Sequence, residues 1–386
     1  MKIVADDKIP FLKGVLEPFV DVVYLPGSKI TADDVKDADA IFTRTRTICN
    51  EALLKNSRVK LIATATIGYD HIDTAYCDAV GIRWVNAPGC NSGSVQQYIT
   101  AALATLAYKL NLTFSELSLG IIGVGHVGSK VELAAKALGM RVLLNDPPRA
   151  DREGPEAFTS LEGLLTESDI VTCHTPLTKE APYPTWHLAS EHFFNRMKPG
   201  AIFINTSRGA VVDTQALLNI KQSTSPSFSI LNFQFSIHVI LDVWEGEPHI
   251  DLSLLADSFI GTPHIAGYSS DGKANGTATI VREFCAFFGL EALKDWYPES
   301  IPPPPMPAVF AIDGYRKRHE QIIYEAVTHT YPIWNDSDLL KKSPETFEEQ
   351  RGGYWIRREF KNFTIRPVNI PTDTLQSLQL LGFAII

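Results

Sequence analysis

Arg208, Glu247 and His264 carry the side chains with the most chemistry to offer. Each follows a short apolar run that reads as a buried strand: Ala201 to Ser207, Val239 to Trp244, and Phe259 to Pro263. In an open α/β sheet the carboxyl ends of the strands face the ligand crevice. A guanidinium there binds a carboxylate through two parallel hydrogen bonds, a geometry that lysine cannot match. An imidazole moves a proton in either direction, because an ordinary histidine titrates at about 6.5. A carboxylate beside the ring orients it and stabilises its protonated form. Plainer readings exist for each residue: a surface arginine at a helix entry, a hydrogen-bonded loop histidine, a solvated acid. Glu245 also competes with Glu247 for the carboxylate role. Their joint appearance at successive strand ends is the informative feature.

A second signal lies upstream in Gly123-Val-Gly125-His126-Val127-Gly128. A lone glycine pattern of this kind is weak. Here it follows the apolar run Leu119–Ile122 and opens a helix-like stretch, Val127–Leu138. The first glycine makes the tight turn, the second admits the pyrophosphate, and the third lets helix and strand pack closely. The N–H groups at the helix start then face the phosphates. Asp146 follows the next strand, where a carboxylate accepts the ribose hydroxyls and repels a 2′-phosphate. NAD is therefore favoured over NADP, although Arg149 nearby tempers that preference. Dinucleotide binding combined with the Arg–Glu–His set predicts hydride transfer coupled to proton transfer.

These residues need a scaffold, and the apolar periodicity supplies one. Strand candidates Lys2–Ala5, Asp21–Leu25, Ala40–Thr43, Lys60–Thr64 and Arg83–Asn86 alternate with the helix-like stretches Ala32–Lys36, Glu51–Asn56 and Asp73–Val80. That alternation predicts a parallel sheet with crossover helices. Val95 to Leu110 is helical in period and leads to a second alternation. Its strands are Leu119–Val124, Arg141–Asn145, Asp169–His174, Ala201–Asn205, Val239–Val243 and Phe259–Ile260. Thr277–Phe288 is again helical and is expected to return to the first domain. The expected division is 1–98 with 265–290, then 99–264, then a small α+β segment, 291–386, beyond the stiff linker Ile301-Pro-Pro-Pro-Pro-Met-Pro307. Lys221 to His238 is rich in Ser and Phe and is too long for an ordinary αβ turn. It reads as a surface insertion or a hairpin.

Composition narrows the partners. The 386 residues are 45% hydrophobic and 20% charged, which fits a globular protein of two or three domains. A net charge of −9 without a long basic run argues against nucleic acid and anionic membrane surfaces. No stretch approaches the ~18 continuous apolar residues of a membrane span. The five cysteines (Cys49, Cys77, Cys90, Cys173, Cys285) are far apart with no CxxC, neither a disulfide framework nor a zinc site. With no secretory signal at the start, a reducing cytoplasm is expected. An anionic substrate must meet a local basic cluster, and Arg44 and Arg46, two apart at a strand end, are candidates for holding a phosphate.

Read together, Gly123–Gly128, Asp146, Thr206-Ser-Arg-Gly209, Leu241-Asp-Val-Trp-Glu-Gly-Glu-Pro248 and Gly261-Thr-Pro-His-Ile-Ala-Gly267 resemble the D-isomer-specific 2-hydroxyacid dehydrogenases. The resemblance covers residues 1 to 290. It implies two doubly wound parallel-sheet domains, a flavodoxin-like substrate domain and a Rossmann NAD domain. It implies catalysis by Arg208, Glu247 and His264, with NAD held by Asp146, Thr175, Thr206, Ser207, Arg208, Asp242 and Gly267. It places substrate against Thr45, Thr66 and Tyr268. Ala87-Pro-Gly-Cys-Asn91, Gly267-Tyr-Ser269 and the proline-linked appendage resemble members that act on a phosphorylated 2-hydroxy acid, in which the appendage serves dimerisation. A homodimer is implied. The alternatives are another 2-hydroxyacid dehydrogenase, for instance one acting on 3-phosphoglycerate, or an NAD-sensing binding protein without turnover.

Overall fold

The structure, a computed structural model, describes residues 1–180, 182–223 and 237–386. It divides into two compact units, Met1–Ser92 with Tyr268–Pro302 and Gly93–Gly267 with Pro303–Ile386.

The first unit is built on five parallel strands: β1 (Lys2–Asp6), β2 (Asp21–Leu25), β3 (Ala40–Thr43), β4 (Leu61–Thr64) and β5 (Arg83–Val85). Their order is β2-β1-β3-β4-β5, the flavodoxin-like arrangement. Every residue of β3 and β4 is buried, as expected of a parallel sheet covered on both faces. The period of two divides the strands between two cores. Ile3, Ala5, Phe42 and Ala63 pack with Ile280, Val281 and Phe284 of the helix Ser270–Phe288. Val4, Ile41 and Ile62 pack with Val35, Leu54 and Cys77 on the opposite face. The returning helix expected near Thr277 thus completes the first unit.

The second unit carries β6 (Ser118–Ile122), β7 (Arg141–Asn145), β8 (Ile170–Cys173), β9 (Ile202–Asn205), β10 (His238–Leu241) and β11 (Ile260–Gly261). All are parallel, in the order β11-β10-β9-β8-β6-β7. The order reverses between β6 and β8, which is the switch point at which open α/β sheets bind ligands. The helix Ser92–Lys109 has Val95, Tyr98, Ile99, Ala101, Ala102, Leu103, Ala104, Leu106 and Ala107 all buried. It is central rather than amphipathic. Leu110, expected on its apolar face, lies beyond its end and is exposed.

The C-terminal segment differs from the separate domain expected over 291–386. Its strands β12 (Val309–Asp313), β13 (Thr364–Val368) and β14 (Ala384–Ile385) are parallel and adjacent in that order. Ile312, Ile322, Val327, Phe363, Ile365 and Leu378 lie in the same apolar cluster as Ile99, Leu103, Ile121 and Val131 of the second unit. About eighty residues support only a modest core of their own, and these share the core of the second unit. The linker marks a boundary at 302/303, and the chain changes unit at 92/93 and 267/268. Of the segment expected as an insertion or hairpin over 221–238, residues 224–236 lie outside the described residues. The helix Thr214–Ser223 precedes them and β10 follows.

Candidate active site

The carboxyl ends of β9, β10 and β11 are in register. Asn205 pairs with Leu241, and Leu241 with Gly261, so the turns carrying Arg208, Glu247 and His264 leave three neighbouring strands at one edge. A Cβ at Gly209 would lie 2.0 Å from the Trp244 carbonyl oxygen. The chain after Arg208 therefore runs directly against the turn that delivers Glu247.

Glu247 and His264 form the pair that the sequence suggests. Nδ1 of His264 is 2.8 Å from Glu247 Oε2, and Glu247 Oε1 accepts the Trp244 amide at 2.8 Å. Burial pushes the Glu247 carboxyl upward, but hydrogen bonding and charge from His264, the Trp244 amide and the Arg351 charge outweigh it. The carboxyl is held below its ordinary range and is an acceptor. Nδ1 must then carry a proton, which leaves Nε2 as the working nitrogen. Both side chains keep partial exposure, 30% for His264 and 20% for Glu247. Glu245, the competitor, is committed elsewhere: its Oε1 meets His187 Nε2 at 2.7 Å and its Oε2 accepts the Thr214 amide at 3.3 Å.

His264 has φ +56°, a left-handed conformation that costs a non-glycine residue on the order of 1–3 kcal/mol. Its surroundings over-determine it. The His264 amide donates to the Asp242 carbonyl at 2.7 Å. The Asp242 carboxylate accepts from the Ile265 amide at 2.7 Å, the Ala266 amide at 2.8 Å and the Thr262 hydroxyl at 2.7 Å. Burial raises the pKa of Asp242, with the His264 charge and these donors acting against it. Expected as a nucleotide contact, Asp242 is buried with both oxygens engaged and braces the histidine turn. Arg208 is partly exposed, and its Nη1 donates to the Ser207 carbonyl at 2.9 Å.

Of the residues expected to hold NAD, the glycine turn, Asp146 and Thr175 follow β6, β7 and β8 around the switch point, whereas Thr206 to Arg208 and Asp242 follow β9 and β10. A Cβ at Gly128 would lie 2.1 Å from the Gly123 carbonyl oxygen, whereas the position above Gly125 is open. The helix His126–Ala137 starts without a side-chain cap, so its first N–H groups remain for a phosphate. His126 is exposed and Val127 half-buried in that first turn. The hydroxyl of Thr175, just past β8, is buried with no hydrogen-bond partner among the described residues. Asp146 is partly exposed beyond β7. It accepts the Val124 amide at 2.8 Å and the Arg149 amide at 3.0 Å, which ties the glycine turn to the ribose end of the site. Arg149 is engaged by Glu153 at 2.7 Å and by the Val124 carbonyl at 2.7 Å, which removes it as a ready 2′-phosphate receptor. Ser207 is buried, its hydroxyl on Asn205 Oδ1 at 2.7 Å, and Gly267 is half-buried at the unit boundary.

Sequence reading passed over His174. It sits between the hydroxyls of Thr172 (3.0 Å from Nε2) and Thr206 (3.2 Å from Nδ1). Burial pushes its pKa down to about 3, so the ring is neutral and fixes Thr206. Its place directly after β8 was the available signal.

The residues expected to meet substrate, Thr45, Thr66, Tyr268, Arg44 and Arg46, belong to the first unit. Arg44, Thr45 and Arg46 follow β3, and Thr66 follows β4. The Thr64 hydroxyl donates to the Arg44 carbonyl at 2.8 Å and contacts the Thr66 hydroxyl at 2.8 Å. Arg44 Nη1 donates to the Lys8 carbonyl at 3.3 Å, while Thr45 and Arg46 are exposed. The Lys273 ammonium lies 4.9 Å from the centre of the Tyr268 ring.

The family model described as D-isomer specific 2-hydroxyacid dehydrogenase, NAD binding domain, matches residues 104–266. An erythronate-4-phosphate dehydrogenase of Bacteroides fragilis is 47% identical over 360 residues, 93% of this chain and 97% of that protein. Its counterpart in Bacteroides thetaiotaomicron is 48% identical over 366 residues, 95% of this chain and 99% of that one. Among solved structures, a D-lactate dehydrogenase from Aquifex aeolicus complexed with NAD and lactic acid is 30% identical. It has a TM-score of 0.59, covering 78% of this chain and 100% of its own. With such relatives matched over almost its whole length, the chain belongs to the D-isomer-specific 2-hydroxyacid dehydrogenase family and uses NAD.

Proposed function

We propose that this chain oxidises 4-phospho-D-erythronate to 3-hydroxy-2-oxo-4-phosphooxybutanoate in the biosynthesis of pyridoxal 5′-phosphate. The observation that carries the reaction is the Glu247–His264 pair at 2.8 Å beside the turn of Arg208. The substrate follows from the relatives named above, whose likeness extends through the C-terminal segment.

Bound NAD supplies the hydride acceptor. His264 Nε2 removes the C2 hydroxyl proton, and Glu247 stabilises the resulting imidazolium while keeping Nδ1 protonated. Arg208 holds the C1 carboxylate in a two-bond grip and polarises the C2 oxygen. Thr45, Thr66 and Tyr268 are assigned to substrate binding, and Arg46, with Arg44, to the terminal phosphate of a chain whose net charge of −9 otherwise opposes it. Each chain is assigned to a homodimer, in a reducing cytoplasm that suits five free cysteines.

A panel of 4-phosphoerythronate, 3-phosphoglycerate and D-lactate, followed through NADH absorbance, tests the reading. Phosphoerythronate is expected to give the highest kcat/KM. His264→Ala should abolish turnover with NADH still bound, and Arg46→Ala should raise KM about tenfold for phosphorylated substrates only. A preference for phosphoglycerate would overturn the substrate. An unchanged KM in Arg46→Ala would overturn that residue's role, and tight NADH binding without any turnover would favour a sensing protein.

A further inference from the structure

We propose that Arg357, in the C-terminal segment, is a positioning residue for His264: its guanidinium grips the backbone just after the histidine and keeps the ring on Glu247. The proposal rests on the acid–base role given to His264 above.

Arg357 is completely buried. Its Nη2 donates to the carbonyl oxygens of Ile265 at 3.2 Å and Ala266 at 2.6 Å. The amides of the same two residues donate to Asp242. The two residues after His264 are therefore held on both sides, by a carboxylate on their N–H groups and a guanidinium on their carbonyls. A left-handed histidine at φ +56° requires such restraint. If the turn relaxed, the imidazole would swing away from Glu247.

Packing alone does not account for this arginine. No carboxylate forms an ion pair with it among the described residues, and its Nε and Nη1 have no hydrogen-bond partner there. The rings of Tyr331 and Tyr354 flank the guanidinium instead, at 4.4 and 5.7 Å. The buried carboxylates of Asp336 and Asp242 act on its charge from beyond ion-pair distance, and both hydrogen bonds it makes go to one stretch of backbone.

The flanking residues fix the segment that carries it. The Arg358 carbonyl accepts Gln97 Nε2 at 2.9 Å, and Glu359 Oε1 accepts the Ser94 hydroxyl at 3.2 Å. Both partners lie in the first turns of the helix Ser92–Lys109. From that helix the Tyr98 hydroxyl reaches Thr262 Oγ1 at 2.7 Å, and Thr262 in turn donates to Asp242. The network closes around residues 262–266.

The test uses Arg357→Lys and Arg357→Met in the full chain. The lysine variant is expected to lower kcat about tenfold and the methionine variant about a hundredfold, the scale of a misplaced catalytic group. KM and the NADH dissociation constant should stay within about twofold. Lysine preserves the buried charge and carries the test if the methionine variant does not fold. A lysine variant with parental kcat overturns the proposal. Loss of NADH binding in step with kcat also overturns it, since that marks a general structural role. His264→Ala, assayed alongside, separates the two readings. Retained turnover in that variant defeats the acid–base role, whereas an inactive His264→Ala beside a parental Arg357→Lys defeats only the role of Arg357.

Discussion

At His264 backbone and side chain are constrained together. The φ of +56° turns the imidazole toward Glu247, and the carboxylate then decides which nitrogen keeps its proton. Glu247→Gln removes that decision while keeping the shape, since a neutral amide stabilises an imidazolium far less than a carboxylate does. A neutral substitute for the carboxylate of a serine-protease triad costs about 10⁴ in kcat. The present pair keeps partial exposure, and a loss of at least about a hundredfold is expected. Steady-state kinetics from pH 5 to 9 would check this, and a kcat within threefold of the parent would remove Glu247 from the mechanism.

The glycine turn, the end of β7 and the end of β8 form one assembly around the switch point. Asp146 bridges the first two through the Val124 amide, and His174 bridges β8 to Thr206 beyond β9. His174 also makes stability depend on pH. Its folded pKa of about 3 lies below the ordinary value of 6.5. Between those limits the unfolded chain binds a proton that the folded chain refuses. The contribution is complete above pH 6.5 and is lost as pH falls toward 3, at up to about 1.4 kcal/mol per pH unit. Urea midpoints at pH 7 and pH 4.5 should therefore separate more for the parent than for His174→Gln. Equal separations would show that the ring is not held neutral.

All-parallel sheets are normally covered on both faces. In β12–β14, Phe310, Ile312 and Ile365 pack inward, while Val309, Ala311, Arg366 and Ala384 are exposed. Leu380 and Ile386 nearby in sequence are also exposed. A second copy of the chain would cover such a surface, and light scattering is expected to give twice 42.7 kDa at micromolar concentration. Val309→Lys should shift the mass toward the monomer. A parent that runs as a monomer would refute the homodimer. No helix among the described residues is long and apolar enough to cross a membrane.

The strands of both large sheets are legible in the chain because parallel strands buried on both faces must be continuous apolar runs, as Ala40–Thr43 and Ile202–Asn205 are. The glycine fingerprint and the Arg–Glu–His set are legible too, because each occupies a strand end, where chemistry and topology coincide. Three matters were decided only by tertiary packing. Glu245 and Glu247 are two residues apart and equivalent in sequence, and only the fold gives one to His187 and the other to His264. Asp242 braces the histidine turn through the Ile265 and Ala266 amides, a pairing that its place after β10 does not disclose. Arg357 stands 93 residues from His264, and no local pattern marks an arginine whose partners are two distant backbone carbonyls. Periodicity records which face of an element is buried, whereas pairings over such separations exist only once the elements have packed.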